Sequence, residues 1–179
     1  MFEMFFSDSE TGLSIREVTV REGLSELFEI SIVAVSPAAN LDLDGLVGRA
    51  AGLRTTAGLD QPLEAPRLWT GVCSTIEQVA AEPTGVSTYR LTIVPALWLL
   101  TQRRNYRIFQ HLTIPEIVDE VLSEWNIEPS WSIDRAKYPK LEYRVQFGES
   151  DYDFVARMLE EAGIGYVLTP EDRATHLHL

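Results

Sequence analysis

The sequence predicts an α+β protein that is mainly β, with a small antiparallel β-barrel followed by a helix-containing unit. In the first half of the chain, apolar and polar residues alternate with the period of two that a half-buried strand requires. In the second half, apolar residues recur at helical spacing beside helix-capping residues. We therefore assign residues 1–95 to a first β-barrel domain and residues 96–179 to a helix-containing α+β domain.

Strand candidates fill the first domain. The stretches "SIREVTV", "LFEISIVAV", "RLWTGVCSTIEQVA" and "TYRLTIVP" are predicted strands, separated by the turn-rich pieces "SPAANLDLDG", "AGLDQPLEAP" and "AAEPTG". Gly71, inside the third strand, predicts a bulge or a tight bend. The residues predicted to face the core are Phe28, Ile30, Ile32, Tyr89, Leu91 and Ile93.

Helix signals begin after Pro95. The stretch "PALWLLTQRRN" predicts a short helix, with Pro95 allowed in its first turn. The stretch "TIPEIVDEVLSEW" predicts a second helix with a stronger signal, because Thr113 and Glu116 form a capping box. One apolar stripe along this second helix contains Ile114, Ile117, Val118, Val121, Leu122 and Trp125.

A strand–helix–hairpin unit completes the chain. In "LEYRVQF", alternation places Leu141, Tyr143, Val145 and Phe147 on one face, opposite Glu142, Arg144 and Gln146. The next helix begins at the Ser150–Asp153 cap and ends at Gly163, and the stretches "IGYVLT" and "RATHLHL" predict a hairpin around "PED". Since the sequence stops inside its last predicted strand, we expect a fragment of a longer protein.

Composition and charge narrow the range of partners. The 179 residues carry a net charge of −12, which argues against nucleic acid, because phosphate binding needs clustered Lys and Arg. The single cysteine cannot form a disulfide within the chain. The start, "MFEMFFSDSETG", lacks the basic residues and long apolar run of a signal peptide. We expect a cytoplasmic protein, or one exported by a route that reads no N-terminal signal.

Four stretches carry a resemblance to a known family: "EGLSELFEISIVAVSP", "LDLDGLVGRAAGL", "YRLTIVPALWLLTQRRNYRIFQHLTIPEIVDEVL" and "LEYRVQFGESDYDFVARMLEEAGIGYVL". In this order they resemble the N-terminal hub region of VgrG, the spike of type VI secretion. They are also similar to phage late control protein D and the baseplate hubs of contractile tails. His111 and the short loop "AEPTGVSTY" depart from the family pattern, and both departures concern the choice of partner.

The resemblance implies a structural hub with no cofactor. In such a family each chain supplies two similar β-barrels and a helix-containing insert, so residues 96–179 would be the insert leading toward a second barrel. Three chains form a ring that joins a hexameric tail-tube protein to a puncturing needle. The implied partners are two further copies of the chain, the tube protein, baseplate components, and effectors bound through a missing C-terminal region. The implied location is cytoplasmic assembly followed by secretion or injection with the spike.

An acidic group near the last helix supports two interpretations. These residues could include a carboxylate pair for glycoside hydrolysis, which needs two carboxyls at a set separation. The alternative, which we favour, is a solvated helix face with acids placed at the positive end of the helix dipole. The group contains Glu149, Asp151, Asp153, Glu160 and Glu161.

Weaker signals favour structural roles. His176 and His178 lie on one side of a predicted strand, but two histidines make an incomplete zinc site. Asp42 and Asp44 in "LDLDG" lack the further oxygen ligands of a calcium loop. Cys73 lies in an alternating strand, where a small buried side chain is the default. We assign no catalytic, cofactor-binding or metal-binding residue.

A short basic and aromatic segment is the candidate protein-interaction patch. Arg103, Arg104 and Arg107 lie beside Tyr106 and Phe109 in an otherwise acidic chain. Arginine and aromatic residues are enriched at protein interfaces and could bind an acidic partner. The alternative is that these arginines pair with carboxylates of their own chain.

Three functions therefore compete. We prefer a structural, non-enzymatic hub of a contractile injection apparatus. The alternatives are a small acidic hydrolase acting on cell-wall glycan, and a monomeric adaptor that docks an effector through the arginine–aromatic patch.

Overall fold

The structure is a computed structural model, and it describes residues 2–7, 12–38, 41–55, 67–81, 85–171 and 174–179. The chain divides into two compact units. Unit 1 takes in Met1–Glu22, Phe28–Pro95 and Pro170–Thr175. Unit 2 takes in Gly23–Leu27, Ala96–Thr169 and His176–Leu179.

Within the described residues, unit 1 is built on a six-stranded antiparallel sheet in the order β1-β4-β5-β6-β3-β2. Its strands are β1 (Phe2–Phe6), β2 (Ser14–Arg21), β3 (Glu29–Ser36), β4 (Ala50–Thr55), β5 (Leu68–Ala80) and β6 (Ser87–Val94). The sheet curls into a half-barrel. The mainly β fold class predicted from the sequence is therefore confirmed.

The core of unit 1 is formed by the alternating residues that the sequence predicts to face inward. Every second residue of β3 and β6 is fully or almost fully buried, and so is Phe28, which precedes β3. All six residues predicted to face the core are therefore buried. These two strands pair directly, with Ile32 opposite Leu91. Tyr89 keeps its hydroxyl satisfied inside this apolar layer by donating a hydrogen bond to the Ala38 carbonyl at 3.0 Å. Large β-branched and aromatic side chains thus supply most of the buried area.

Two features of unit 1 differ from the prediction. The strands β1 and β4 were not predicted, because "FEMFF" is short and "AAGLRT" lacks β-branched residues before its last position. Gly71 lies in unbroken register opposite Ala51, and the bulges of β5 fall after Cys73 and after Gln78 instead. A Cβ atom at Gly71 would lie 1.8 Å from the carbonyl oxygen of Val94, so close backbone approach requires glycine here.

The second half of the chain contains two α-helices, two 3₁₀ segments and four strands within the described residues. The elements are a 3₁₀ helix (Ala96–Gln102), β7 (Arg104–Leu112), α1 (Ile114–Ser123), a 3₁₀ turn (Arg135–Lys137), β8 (Leu141–Ser150), α2 (Asp151–Glu161), β9 (Val167–Glu171) and β10 (Ala174–His178). β7 and β8 form a two-stranded antiparallel ribbon, and β9 and β10 form the pair predicted as a hairpin.

Both predicted caps are present. Thr113 accepts a hydrogen bond from the Glu116 amide, and the Glu116 carboxylate accepts one from the Thr113 amide at 2.7 Å. Ser150 accepts from the Asp153 amide at 3.0 Å, and Gly163 ends the helix region with a φ of 69°. The helices pack their apolar sides into one cluster with Leu97, Leu100, Phe109 and Ile164.

The prediction of a short helix from Pro95 to Asn105 is wrong at its end. The segment turns as a 3₁₀ helix, which stops at Gln102, and Arg104 already belongs to β7. This strand was missed because its arginines break the apolar pattern. No helix in the described part of the chain is long and apolar enough to cross a membrane.

Three sequence pieces are only partly covered. The loop "AGLDQPLEAP" lies outside the described residues, as do parts of "SPAANLDLDG" and "AAEPTG". The described part of the second piece is a turn, in which Asp42 accepts a hydrogen bond from the Gly45 amide at 3.1 Å. Leu46, which follows, is buried.

Candidate protein-interaction site

The five residues of the predicted patch lie on opposite sides of one strand. Arg103 comes immediately before β7, and the other four lie within it. The pleat sends alternate side chains to opposite faces. Phe109 is 4% exposed and Tyr106 is 72% exposed, so the patch does not form one continuous surface.

The inner face of the ribbon surrounds a buried carboxylate, Asp151, at the start of α2. Arg103 donates from Nε to its Oδ2 at 2.7 Å, and Arg107 donates from Nη2 to its Oδ1 at 2.8 Å. Further hydrogen bonds come from Asn105, Trp125 and Gln146 at 3.1, 3.0 and 2.8 Å. A buried charge is tolerated only when it is paired and hydrogen-bonded in this way.

Glu124 extends this network toward the surface. It pairs with Arg103 and, at 2.7 Å, with Arg107, so each arginine bridges two carboxylates. Arg103 also lies over the ring of Trp125, 4.7 Å from its centroid. These two arginines therefore pair with carboxylates of their own chain, which was the alternative to a binding role.

The network sets the protonation state of Asp151. Burial by itself would raise the pKa of this carboxyl. The hydrogen bonds from Gln146, Asn105, Trp125 and Arg103 outweigh burial and leave the pKa below its ordinary value of 3.8. Asp151 is therefore ionised at neutral pH, and its oxygens are occupied by donors.

Phe109 contributes to packing. Its ring stacks on that of Phe154 with centroids 5.3 Å apart, and both side chains are buried. Like Arg103 and Arg107, it contacts its own chain. The binding role proposed for the patch consequently depends on its two exposed members, Arg104 and Tyr106.

The outer face of the ribbon is apolar, which the sequence analysis missed. We define the outer ribbon face as Tyr106 and Ile108 of β7 together with Tyr143 and Phe147 of β8. Their exposed fractions are 72%, 68%, 57% and 78%. Tyr106 lies opposite Phe147 in the ladder, and their rings meet edge to face with centroids 5.2 Å apart.

Tyr143 and Phe147 share a face, as the alternation predicts, and the structure shows that this face is the exposed one. The polar side of β8 is the buried one, and Gln146 is fully buried. The physical reason is Asp151: Gln146 donates to that carboxylate and its own side-chain oxygen accepts from Arg107 at 2.9 Å. Polar groups that complete a buried network can displace aromatic residues from the inner face.

The members of the acidic group are occupied in different ways, and two of them share one arginine. Glu149 and Glu161 both pair with Arg157, while Asp153 accepts from the Ser150 hydroxyl at 2.7 Å. Glu160 lies in a groove of about 460 Å³ whose lining contains no other carboxylate among the described residues. The paired geometry that glycoside hydrolysis needs is not assembled around Asp151, which is buried.

The remaining candidates show no additional chemistry. Burial raises the pKa of the Cys73 thiol to about 11, so the thiol is protonated at neutral pH. His176 and His178 lie on β10, and no cluster of three or more His, Cys, Asp or Glu side chains within the described ranges could hold a metal ion.

The curled sheet and the capped α/β unit define a β-rich protein with the fold of tail hub components. The c3393 protein of E. coli matches with a TM-score of 0.86 at 22% identity, over 98% of this chain and 48% of its own. That protein is a component of the type VI secretion system and is described as structurally similar to the T4 tail proteins gp27 and gp5. A tail protein from Neisseria meningitidis MC58 matches with a TM-score of 0.63 at 11% identity, over 99% of this chain and 49% of its own.

Sequence comparison gives the family. The chain belongs to the phage tail baseplate hub (GPD) family, whose sequence profile matches residues 21–179. Type VI secretion system spike protein VgrG4b of Pseudomonas aeruginosa is 38% identical over 158 residues, which are 86% of this chain and 18% of that protein. VgrG1c of the same organism is 33% identical over 178 residues, 92% of this chain and 24% of that protein. The chain thus spans about a fifth to a quarter of the length of these relatives.

Proposed function

We propose that this chain is a structural hub component of a contractile injection apparatus, either a type VI secretion spike or a phage-like tail. The observation that carries the proposal is the family match over residues 21–179. The relatives with the highest identities given above are both named as type VI spike proteins. No relative or solved structure described here supports a hydrolase or an adaptor.

The proposed role is mechanical. Three copies form a ring between a hexameric tail-tube protein and a puncturing needle, and the ring passes force from a contracting sheath to the needle. Head-to-tail contacts close into such a ring when the rotation between copies is right. Baseplate components and effectors are the other proposed partners, and the apparatus is assembled in the cytoplasm before it is secreted or injected. Residues 1–95 act as the first barrel domain, and residues 96–179 act as the insert.

We further infer that the chain has no reaction of its own. Two features of the described residues support this inference. Asp151, the most buried acid of the candidate group, accepts hydrogen bonds on both oxygens and is held ionised. The groove beside α2 offers Glu160 alone, whereas glycan hydrolysis needs a pair of carboxyls.

Deletion in the producing bacterium tests the proposal. Removal of residues 1–179 in frame should reduce release of the tail-tube protein to the background level, and expression of the intact gene should restore it. Restoration by the Glu160→Gln variant is also expected, because the hub role does not use this exposed carboxylate. Release unaffected by the deletion would contradict the hub function. Restoration by the wild type but not by Glu160→Gln would favour the hydrolase.

A further inference from the structure

We propose that the groove beside α2 is a docking site for a lysine side chain carried by a basic segment of another protein. We call it the α2 groove, and its lining includes Leu159, Glu160, Gly163, Ile164, Gly165 and Tyr166. The inference goes beyond the proposed hub function, because the passage of force from tube to needle uses neither the groove nor its carboxylate. Four observations support it: the walls of the groove, its unpaired carboxylate, the charge at the end of α2, and the open main chain beside it.

The α2 groove has the size and the walls that an aliphatic stem requires. Its volume of about 460 Å³ lies within the range of ligand pockets, about 300–1,000 Å³. Leu159, Ile164 and Tyr166 form an apolar wall, and they are only 3%, 7% and 4% exposed. The hydroxyl of Tyr166 is already hydrogen-bonded to that of Tyr152 at 2.8 Å. A lysine can bury its methylene stem against such a wall while its ammonium stays near water.

Glu160 supplies the charge that selects a cation. It is exposed, it is the one charged side chain in the described lining, and no described residue forms an ion pair with it. The neighbouring arginines are engaged with other carboxylates. Arg157 pairs with Glu149 and Glu161, and Arg144 pairs with Glu161 as well. An unpaired carboxylate beside an apolar wall is complementary to the ammonium and stem of a lysine.

The end of α2 lacks the cation that helices favour there. Partial negative charge gathers at the C-terminal end of a helix, where Lys and Arg are stabilising. The helix α2 ends instead with Glu160 and Glu161, and its last turn contains no basic residue. Burial, the Tyr152 hydroxyl and the nearby Glu26 carboxylate all raise the pKa of Tyr166, so a further acid lies close to the groove. A ligand cation would supply the positive charge that this end of the helix lacks.

The main chain beside the groove favours a polypeptide over a small amine. Gly163 and Gly165 are exposed, and the main chain of Gly165 makes no hydrogen bond with any described residue. Tyr166, next to it, is held by Ser25, whose hydroxyl accepts from the Tyr166 amide at 3.1 Å. A segment that carries the lysine can therefore bond to the main chain of Gly165. The net charge of −12 attracts a basic segment of another protein.

Nuclear magnetic resonance titration of the 179-residue chain with capped tripeptides tests the inference. The probe is acetyl-Ala-Lys-Ala-amide, and two comparison peptides carry norleucine or glutamate in place of lysine. We expect the lysine peptide to shift the amide signals of Gly163 and Gly165 and to saturate with a Kd of about 1 mM. The norleucine peptide, which has an aliphatic stem without the charge, should bind about threefold more weakly at low salt. This difference should vanish at about 1 M salt, where charges are screened within about 3 Å, and the glutamate peptide should not bind.

Two substitutions and a matched control assign the binding to the groove. Glu160→Lys should weaken binding of the lysine peptide at least about tenfold, because a repulsion replaces an attraction. Gly165→Leu should block the groove without strain, since the φ of Gly165 is not positive and a Cβ there lies 3.6 Å from the Ser25 hydroxyl oxygen. Glu120→Lys is the control, because it makes the same change of charge at an exposed position of α1, and it should bind like the wild type. Circular dichroism should show the same fold for all four proteins.

Four results would overturn the inference. The first is the absence of saturable shifts at Gly163 and Gly165, and the second is equal binding of the lysine and norleucine peptides at low salt. The third is normal binding by Glu160→Lys or Gly165→Leu. The fourth is butylamine binding as tightly as the lysine peptide, which would identify a site for a small amine. None of these results changes the release of tube protein on deletion, so failure of this inference is distinguishable from failure of the hub function.

Discussion

Asp151 shows how one residue determines the placement of many others. Its carboxylate draws Arg103, Arg107 and Gln146 to the inner side of the ribbon. The pleat then turns their neighbours outward. The apolar character of the outer ribbon face is therefore a consequence of a buried charge, and the two faces have to be considered together.

Removal of this charge should strongly destabilise the fold. The Asp151→Asn variant keeps the shape of the side chain but leaves two arginines with Glu124 as their remaining carboxylate. We expect the free energy of unfolding to fall by about 3 kcal/mol, the scale for breaking a buried ion pair. Denaturant titration measures this change. The control Glu77→Gln, in an exposed pair with Arg90, should change it by less than about 1 kcal/mol. Equal effects of the two variants would contradict the importance of the buried network.

The same residue predicts a pH dependence. Because the pKa of Asp151 is lower in the folded chain than its ordinary value of 3.8, the unfolded chain binds more protons, and stability rises with pH in this range. The stabilisation by Asp151 is fully present above pH 3.8 and is lost as the pH falls through the folded-state pKa. The difference in unfolding free energy between wild type and Asp151→Asn should therefore shrink as the pH falls below about 3.8. A constant difference across this range would refute the assignment.

At the scale of the element, strand β5 depends on one close backbone contact. Gly71 lies against the Val94 carbonyl at the end of β6, where any side chain would force the strands apart. The curled sheet therefore requires a residue without a side chain at this position.

Substitution at this glycine should be costly. We expect Gly71→Ala to lower the free energy of unfolding by about 3 kcal/mol, at the upper end of the range for overpacking. Thermal or denaturant unfolding measures the loss. Gly165→Ala is the matched control, since its Cβ would lie 3.6 Å from the Ser25 hydroxyl oxygen, an ordinary contact distance. A Gly71→Ala variant as stable as this control would show that the strands can separate freely.

The elements that the sequence predicts well are those whose signals are local. Capping at Thr113 and Ser150 and the alternation through Ile32 and Leu91 depend on residues close in the chain, and all were found as predicted. The orientation of β8 was not predictable in this way. Its buried side is decided by Asp151, Arg103 and Arg107, which come from elements that meet only in the folded chain.

The candidate patch illustrates the same limit. The composition of residues 103–109 drew attention to this strand, but composition does not separate its two faces. Arg103, Arg107 and Phe109 contact their own chain, whereas Arg104 and Tyr106 remain exposed. The partners of Tyr106 on the outer ribbon face come from β8, some 40 residues later, and only the pairing of the two strands reveals them.

At the scale of the whole molecule, charge and exposed apolar surface act together. The net charge of −12 disfavours unspecific contact between copies, while the described residues leave the apolar outer ribbon face exposed. A hub chain needs this combination, because it must remain soluble before assembly and then bind in one orientation. We therefore propose that the chain works through its neighbours.

Electron cryomicroscopy of the assembled spike or tail that carries this chain tests the central claim most directly. We predict three copies around one axis at the end of the tail tube. An assembly that contains a single copy, or an apparatus that assembles fully without the chain, would contradict it.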